Sequence, residues 1–162
     1  MAIAALYFAR STVGGRTPGG KQGGAVIAAW NSVVAGLPVL LVHLATTTGL
    51  FLAGLVVYVW LTPYREIALI RAGNVAASIV LSGQMLALAI PLAAMMAHSV
   101  NVPDIVLWGL VTVVLQFLAF AVVAMLIRHL PAAIERGEIG PALVLACGQV
   151  VAGLLNAAAM SG

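Results

Sequence analysis

The sequence predicts an all-α integral membrane protein with four transmembrane helices, arranged as two parallel two-helix repeats and preceded by an interfacial or re-entrant segment. Of its 162 residues, 64% are hydrophobic and only 7% are charged, whereas soluble domains carry about 25% charged residues. Several apolar stretches reach the length of about 20 residues that a membrane-spanning helix needs. They lack the alternating polarity of transmembrane β-strands, so the chain is expected to cross the lipid as helices.

Residues 1–31 are interpreted as a flexible glycine-rich N-terminal tail, and residues 32–162 as the four-helix membrane domain. Glycine pairs at 14–15, 19–20 and 23–24 make the tail costly to order, because glycine loses more backbone freedom on folding than any other residue.

The apolar run from 25 to 61 is longer than one span requires. We therefore expect an interfacial helix or a re-entrant segment before the first span, with a fifth span over about 25–43 as the alternative. The four predicted spans cover about residues 39–61, 74–97, 105–127 and 142–160.

An internal repeat with an offset of 65 residues is visible. It aligns the Gly-Gln pair at 83–84 with the same pair at 148–149, and Arg71 with Arg136. Each unit holds two helices, so the two units share one orientation and are related by an axis near the membrane normal.

The charge distribution is typical of topology signals. The formal net charge is +3, but the cations lie at the ends of spans rather than on one face, which argues against nucleic acid as a partner. The two basic loops belong in the cytoplasm and the turn with Asp104 outside. Four spans then put both termini outside; the cations of the tail oppose this arrangement, and a fifth span would remove the conflict. The cations are Arg10, Arg16, Lys21, Arg65, Arg71, Arg128 and Arg136.

The most polar break follows the first span and contains three candidate functional residues. Pro63 ends the span, because the residue before a proline is pushed out of helical geometry. Arg65 and Glu66 are expected to keep the loop in water, and Asn74 to cap or brace the next span. Arg71 is expected to reach a lipid phosphate or a carbonyl at a helix end, with Glu66 as an alternative partner.

Short motifs at the ends and centres of the spans form a specific set: Thr62-Pro63-Tyr64, Glu66, Leu69-Ile70-Arg71, Gly73-Asn74, Ala76-Ala77, Gly83, Pro91-Leu92, Ser99, Asp104, Trp108-Gly109, Gln116, Gly153 and Asn156-Ala157. Over about residues 32–162 the chain resembles a bacterial inner-membrane family, domain of unknown function 350 or uncharacterised protein family 0719. The resemblance implies a four-helix inner-membrane protein with no established activity. Members resemble components of envelope-stress modules that also hold phage-shock-like proteins and peptide-ligase-like enzymes. The second repeat has Gly137-Glu138 where the first has Gly73-Asn74, so a role of Asn74 need not be duplicated.

Four amide side chains lie within the predicted spans: Gln84, Gln116, Gln149 and Asn156. A buried amide in hydrocarbon needs a partner, so these residues either join helices or line a polar path. Joining helices is the favoured interpretation, since no amide alone moves ions or protons. No charged residue is predicted at mid-membrane depth, which argues against proton-coupled transport.

Small and aromatic residues have structural interpretations. Gly83 with Ala87, and Gly153 with Ala157, let helices approach closely, within one chain for at least one pair. Four aromatic residues fit belts at the membrane interface: Tyr58, Trp60, Tyr64 and Trp108.

No catalytic, cofactor-binding or metal-binding group is predicted. His43 and His98 are solitary, whereas a metal site needs three or four convergent ligands. Cys147 has apolar neighbours, a context that does not activate a nucleophile.

Two functions are consistent with these observations. The first is a non-enzymatic inner-membrane scaffold that acts through a peripheral membrane-stress protein, anionic lipid or further copies of itself. The alternative is a small channel or transporter whose pore forms between protomers, with the four amides along it.

Overall fold

The computed structural model describes residues 18–99 and 101–161, and this part of the chain is helical, without strands. Four of its helices are long and apolar enough to cross a membrane. This finding confirms the predicted class, a helical membrane protein with four candidate spans. In chain order the helices are α1 (Pro18–Leu61), α2 (Glu66–Arg71), α3 (Val75–His98), α4 (Val102–Leu126), α5 (Leu130–Glu135) and α6 (Ile139–Met160).

The chain divides into two units, up to Leu40 and from Leu41 onward, and the boundary falls within α1. The first unit contributes the start of this helix at Pro18. Proline suits a first helical turn, because its missing N–H has no partner there in any helix. Residues 18–31 are thus helical where the sequence predicted a flexible tail, and residues 1–17 of that tail lie outside the described part.

Helix α1 has 38 residues from Gly24 to its end, although about 20 are enough to cross a bilayer. The excess length is the feature that prompted the expectation of an interfacial or re-entrant segment. That segment and the alternative fifth span stay predictions.

Helices α3 and α6 form the most closely packed pair of the second unit. A Cβ atom on Gly83 would lie 2.5 Å from the Cβ of Ala146, and one on Gly153 would lie 2.6 Å from the carbonyl oxygen of Ala87. Both glycines therefore permit an approach that any side chain would block. This confirms that small residues pack helices together within one chain.

Helix α4 and the last part of α1 complete the second unit. Gly109 of α4 faces Leu50 of α1, where an added Cβ would lie 2.5 Å from the leucine side chain. Near the end of α1, the ring of Tyr58 stands edge-on to Phe120 with 5.3 Å between the centroids. The core of this unit is therefore built from side chains of all four long helices.

The short helices α2 and α5 lie at the same end of the bundle, and each ends in the same type of turn. Gly73 and Gly137 have φ values of 84° and 77°, a conformation that glycine adopts without strain. Each donates its N–H to the carbonyl three residues earlier, and the next residue donates to the carbonyl five residues earlier, as in a Schellman motif. These turns are related by an offset of 64 rather than 65. At that offset Arg136 matches Ala72 and not Arg71, and the repeat of whole two-helix units stays a prediction.

We predict that the two ends of the bundle face opposite sides of the membrane, because α3 and α4 each cross it once. On a Cys147→Ala background, a thiol reagent that cannot cross the membrane should label Asn101→Cys from one side only. It should label Glu135→Cys and the control Glu138→Cys from the other side. Labelling of Asn101→Cys and Glu135→Cys from the same side would contradict this topology.

Candidate functional site

Glu66 is the first residue of α2, and its side chain is fully buried. Its Oε1 atom accepts a hydrogen bond of 2.9 Å from the hydroxyl of Tyr58 on α1. The predictions that Glu66 keeps the loop in water, or pairs with Arg71, are therefore wrong. Among the side chains described, those of residues 24–99 and 101–161, the only ion pair joins Arg136 Nε to Glu138 at 2.7 Å.

The burial of Glu66 is part of an alternation in the segment between α1 and α2. Thr62, Tyr64 and Glu66 are buried, while the residues between them are exposed. The chain is bent here rather than extended, since the N–H of Glu66 donates to the carbonyl oxygen of Tyr64 at 2.9 Å. The alternation is therefore a property of this turn, and the residue types alone do not identify Glu66 as buried.

Two tyrosines belong to the same buried group. Tyr58 is 0% exposed and Tyr64 is 4% exposed, so the prediction that they belong to an interfacial belt is wrong. The ring of Tyr58 packs perpendicular to that of Phe120, and Tyr58 is therefore part of the core. Trp60 is 90% exposed and Trp108 is 49% exposed, positions that suit an aromatic belt.

Burial raises the pKa of the Glu66 carboxyl from its ordinary value of 4.5 to about 7, although the hydrogen bond from Tyr58 and the nearby hydroxyl of Tyr64 oppose the rise. Burial, followed by the nearby Glu66 charge, raises the pKa of Tyr64. Desolvation disfavours a charged carboxylate, and a hydroxyl donor restores only part of the loss. The site therefore holds the carboxyl partly protonated near pH 7.

Asn74 joins the start of α3 to the end of the short helix α5. Its Oδ1 atom accepts from the backbone N–H of Ala77 at 2.9 Å, which caps α3 as the sequence predicts. Its Nδ2 atom donates to the carbonyl oxygen of Ile134 at 2.8 Å and to that of Glu135 at 3.3 Å. One side chain thus satisfies both the start of α3 and the end of α5.

This end of the bundle carries six exposed charged residues, and we call it the arginine platform. An open depression of about 440 Å³ lies between the two glycine turns and is lined by Asn74, Glu135 and Arg136. The charged residues of the platform are exposed: Arg65, Arg71, Arg128, Glu135, Arg136 and Glu138.

Three of the four predicted amides are inside the protein. Gln84, Gln116 and Gln149 are at most 1% exposed, so they are not available to line a pore between protomers. Gln116 Nε2 donates to the backbone carbonyl of Gln149 at 2.9 Å, which joins α4 to α6. The side-chain amides of Gln84 and Gln149, and Nδ2 of the partly buried Asn156, have no hydrogen-bond partner.

No group of three or more His, Cys, Asp or Glu residues is arranged to hold a metal ion in the described part of the chain. Cys147 is exposed on α6, beside Ser82 and Gly83 in an apolar groove between α3 and α6.

Comparisons with known proteins match most of this chain. The family described as Domain of Unknown Function (DUF350) matches residues 32–160. The chain is similar to the UPF0719 inner membrane protein YjfL of Escherichia coli K12, with 33% identity over 107 residues, or 66% of this chain and 81% of that protein. The YjfL protein of Escherichia coli O157:H7 matches with the same identity and coverage. No solved structure matches the chain.

We predict that stability falls as the pH rises from about 4.5 to about 7, because the folded protein retains a proton on Glu66 that the unfolded chain releases. The total loss is roughly 3 kcal/mol for a pKa difference of this size. Thermal unfolding in detergent across this range should show the fall in wild type and in Glu135→Gln, whose altered carboxyl is exposed. For Glu66→Gln, the unfolding temperature should change less with pH. An equal change with pH in wild type and Glu66→Gln would contradict the prediction.

The amides should differ in their contributions to stability. Gln116→Met loses a buried hydrogen bond and leaves the Gln149 carbonyl with one donor fewer, at a cost of about 1 kcal/mol. Gln84→Met removes a buried amide without a protein partner, so its unfolding temperature should equal or exceed that of wild type. Both changes keep an unbranched side chain of similar shape. Equal destabilisation by the two would show that Gln84 also has a hydrogen-bond partner.

Proposed function

Since this chain belongs to the Domain of Unknown Function (DUF350) family, we propose that it is a non-enzymatic scaffold that presents the arginine platform to a peripheral membrane-stress protein. It is a multi-pass protein of the bacterial inner membrane. The proposal also includes association with further copies of the chain within the membrane.

The observation that carries this proposal is the bridge made by Asn74. A docking surface is effective when its parts are held in a fixed arrangement before the partner arrives, because ordering them on binding would weaken the complex. Asn74 bonds to α3 through Ala77 and to α5 through Ile134. The bridge therefore supports a preorganised surface built from two turns that are 64 residues apart in sequence.

The charge of the platform indicates the chemistry of the partner. Arg65, Arg71 and Arg128 are exposed, whereas Arg136 is already paired with Glu138. Arginine forms bidentate hydrogen bonds with carboxylates, so an acidic surface of a peripheral protein fits the three remaining cations. Anionic lipid attracts the same groups and would hold the partner and the platform near the membrane surface.

The alternative function, a small channel or transporter, has one observation in its favour. Gln84 and Gln149 bury polar atoms that have no protein partner, and such atoms usually bond to ordered water. Since both side chains are inaccessible from outside, a polar path along them would run inside the protomer. A scaffold should show no ion flux above that of empty liposomes, whereas a channel should.

We predict that Arg71→Ala and Asn74→Ala each reduce recovery of the partner at least about fivefold, since an interface contact that matters contributes at least about 1 kcal/mol. Proteins bound to each variant would be cross-linked in the same membranes, purified through the variant and quantified by mass spectrometry. Size-exclusion chromatography would report oligomers in the same samples.

The matched controls are Arg10→Ala, which removes a cation from the tail, and Asn101→Ala. Asn101 caps α4 by accepting from the N–H of Asp104 at 3.0 Å, so its loss removes a cap at the opposite end of the bundle. If Arg71→Ala and Arg10→Ala recover the partner equally well, the arginines of the platform act only as a topology signal. Ion flux through the purified wild type would instead favour the channel.

A further inference from the structure

A buried carboxyl lies beside two buried hydroxyls in the second unit, and this group is only partly satisfied by hydrogen bonds. Glu66 Oε1 accepts from Tyr58, but its Oε2 atom is buried without a hydrogen-bond partner. The hydroxyl of Tyr64 is buried without one as well. Native proteins satisfy nearly all such atoms, so two vacant hydrogen-bonding positions in one cluster call for an explanation.

No described cation, from residue 24 onward, forms an ion pair with this cluster. The titratable groups that face Glu66 are Tyr58 from α1 and Tyr64 from the linker. The charged neighbours on its own segment, Arg65 and Arg71, are exposed. The other helices supply apolar side chains to the cluster that holds both tyrosines: Ala76, Ala77, Val80, Phe120, Leu130, Ile134, Ala142 and Leu145.

This geometry places an ionisable group in an apolar core with hydroxyl oxygens as its only facing polar partners. A buried carboxylate without a cation loses far more hydration than one hydroxyl donor returns. A proton on the carboxyl removes this cost and adds an O–H donor. We propose that Glu66, with Tyr58 and Tyr64, forms a proton-binding site at the arginine-bearing end of the bundle.

The cluster has the atoms needed to satisfy both states of such a site. In the protonated state, Tyr58 donates to Oε1, and the new O–H on Oε2 is a donor for which the Tyr64 oxygen is an acceptor. In the ionised state, the hydroxyl hydrogen of Tyr64 is available to turn toward Oε2. Pairing of Tyr64 with Oε2 also needs a shift of one of the two side chains, because neither atom has a partner in the present arrangement. Exchange with water has a short path, because Arg65 and Ile67 on either side of Glu66 are exposed.

This inference does not depend on the proposed scaffold function, because a docking platform needs no proton on a buried residue. It concerns a different surface of the same α2 helix. The platform variants can therefore fail without affecting the proton site, and the reverse also holds.

The test is carbodiimide modification of the full-length protein in liposomes. Dicyclohexylcarbodiimide is an apolar reagent that attacks protonated carboxyl groups, and peptide mass spectrometry locates the adduct. Modification of Glu66 should fall at least about tenfold between about pH 5.5 and about pH 8.5, which is the change expected of a group that titrates near neutrality. Exposed Glu135 and Glu138 in the same sample serve as internal references and should lose reactivity at lower pH.

Tyr58→Phe should move the midpoint for Glu66 to higher pH, because it removes the hydrogen bond that favours the carboxylate. Thr62→Val is the matched control. It also removes a buried hydroxyl from this segment, but Thr62 Oγ1 donates only to the carbonyls of Tyr58 and Val59. Its midpoint should equal that of wild type.

An infrared titration of wild type against Glu66→Gln provides a readout that needs neither reagent access nor the tyrosine variant. The carbonyl stretch of a protonated carboxyl should disappear near neutral pH in wild type and be missing from Glu66→Gln. Two outcomes would overturn the proposal. One is carbodiimide modification of Glu66 that falls at the same pH as that of Glu135. The other is an infrared titration in which wild type and Glu66→Gln give the same signal.

Discussion

The close approach of α3 and α6 is the constraint on which the rest of the second unit depends. Gly83 leaves room for Ala146, and Gly153 for the carbonyl oxygen of Ala87, so two helices of the same direction touch along their backbones. Apolar side chains gain little by leaving lipid for another apolar surface, and van der Waals contact of this kind must stabilise the pair instead. The contact also sets the two helices in register. Because their starts are level, the turns before them lie side by side, and Asn74 reaches the carbonyl of Ile134.

Two neighbouring charged residues at the arginine-bearing end of the bundle lie in opposite environments. Arg65 is exposed, where water screens its charge, and Glu66 is turned inward, where a charge is costly. A partner at the surface therefore meets arginines first, and the carboxyl contributes to the field only when it is ionised. Separation of this kind lets one short helix carry a surface for recognition on one side and a titratable group on the other.

The buried amides differ in whether their side chains have a hydrogen-bond partner. Gln116 joins α4 to the backbone of α6, which is the helix-joining role that its position in a span suggests. Gln84 and Gln149 are equally buried, but their side chains lack partners. In a membrane core an unsatisfied amide is expensive, so these two positions are the points in the spans where ordered water is most strongly favoured.

Properties that depend on a few neighbouring residues were determined by the sequence alone. Hydropathy over about 20 residues identified the helical membrane class, the position of Asn74 before an apolar run identified a cap, and the glycines identified close packing. The motif set identified the family. In each case the signal is local, because span length, helix caps and small contact faces depend on residues that are close together in the chain.

Only the tertiary structure decided which polar groups face inward and what they meet there. The segment from Leu61 to Ile67 alternates, but alternation does not say which set of side chains faces the core, and the charge of Glu66 favoured the wrong choice. The partner of Gln116 lies 33 residues away, and the bridge from Asn74 spans 60. The sequence matches the two glycine turns at an offset of 64 and the Gly-Gln pairs at 65, and only the backbone shows that the turns themselves share one geometry. Such relations arise when distant helices pack, since packing and not spacing determines which atoms become neighbours.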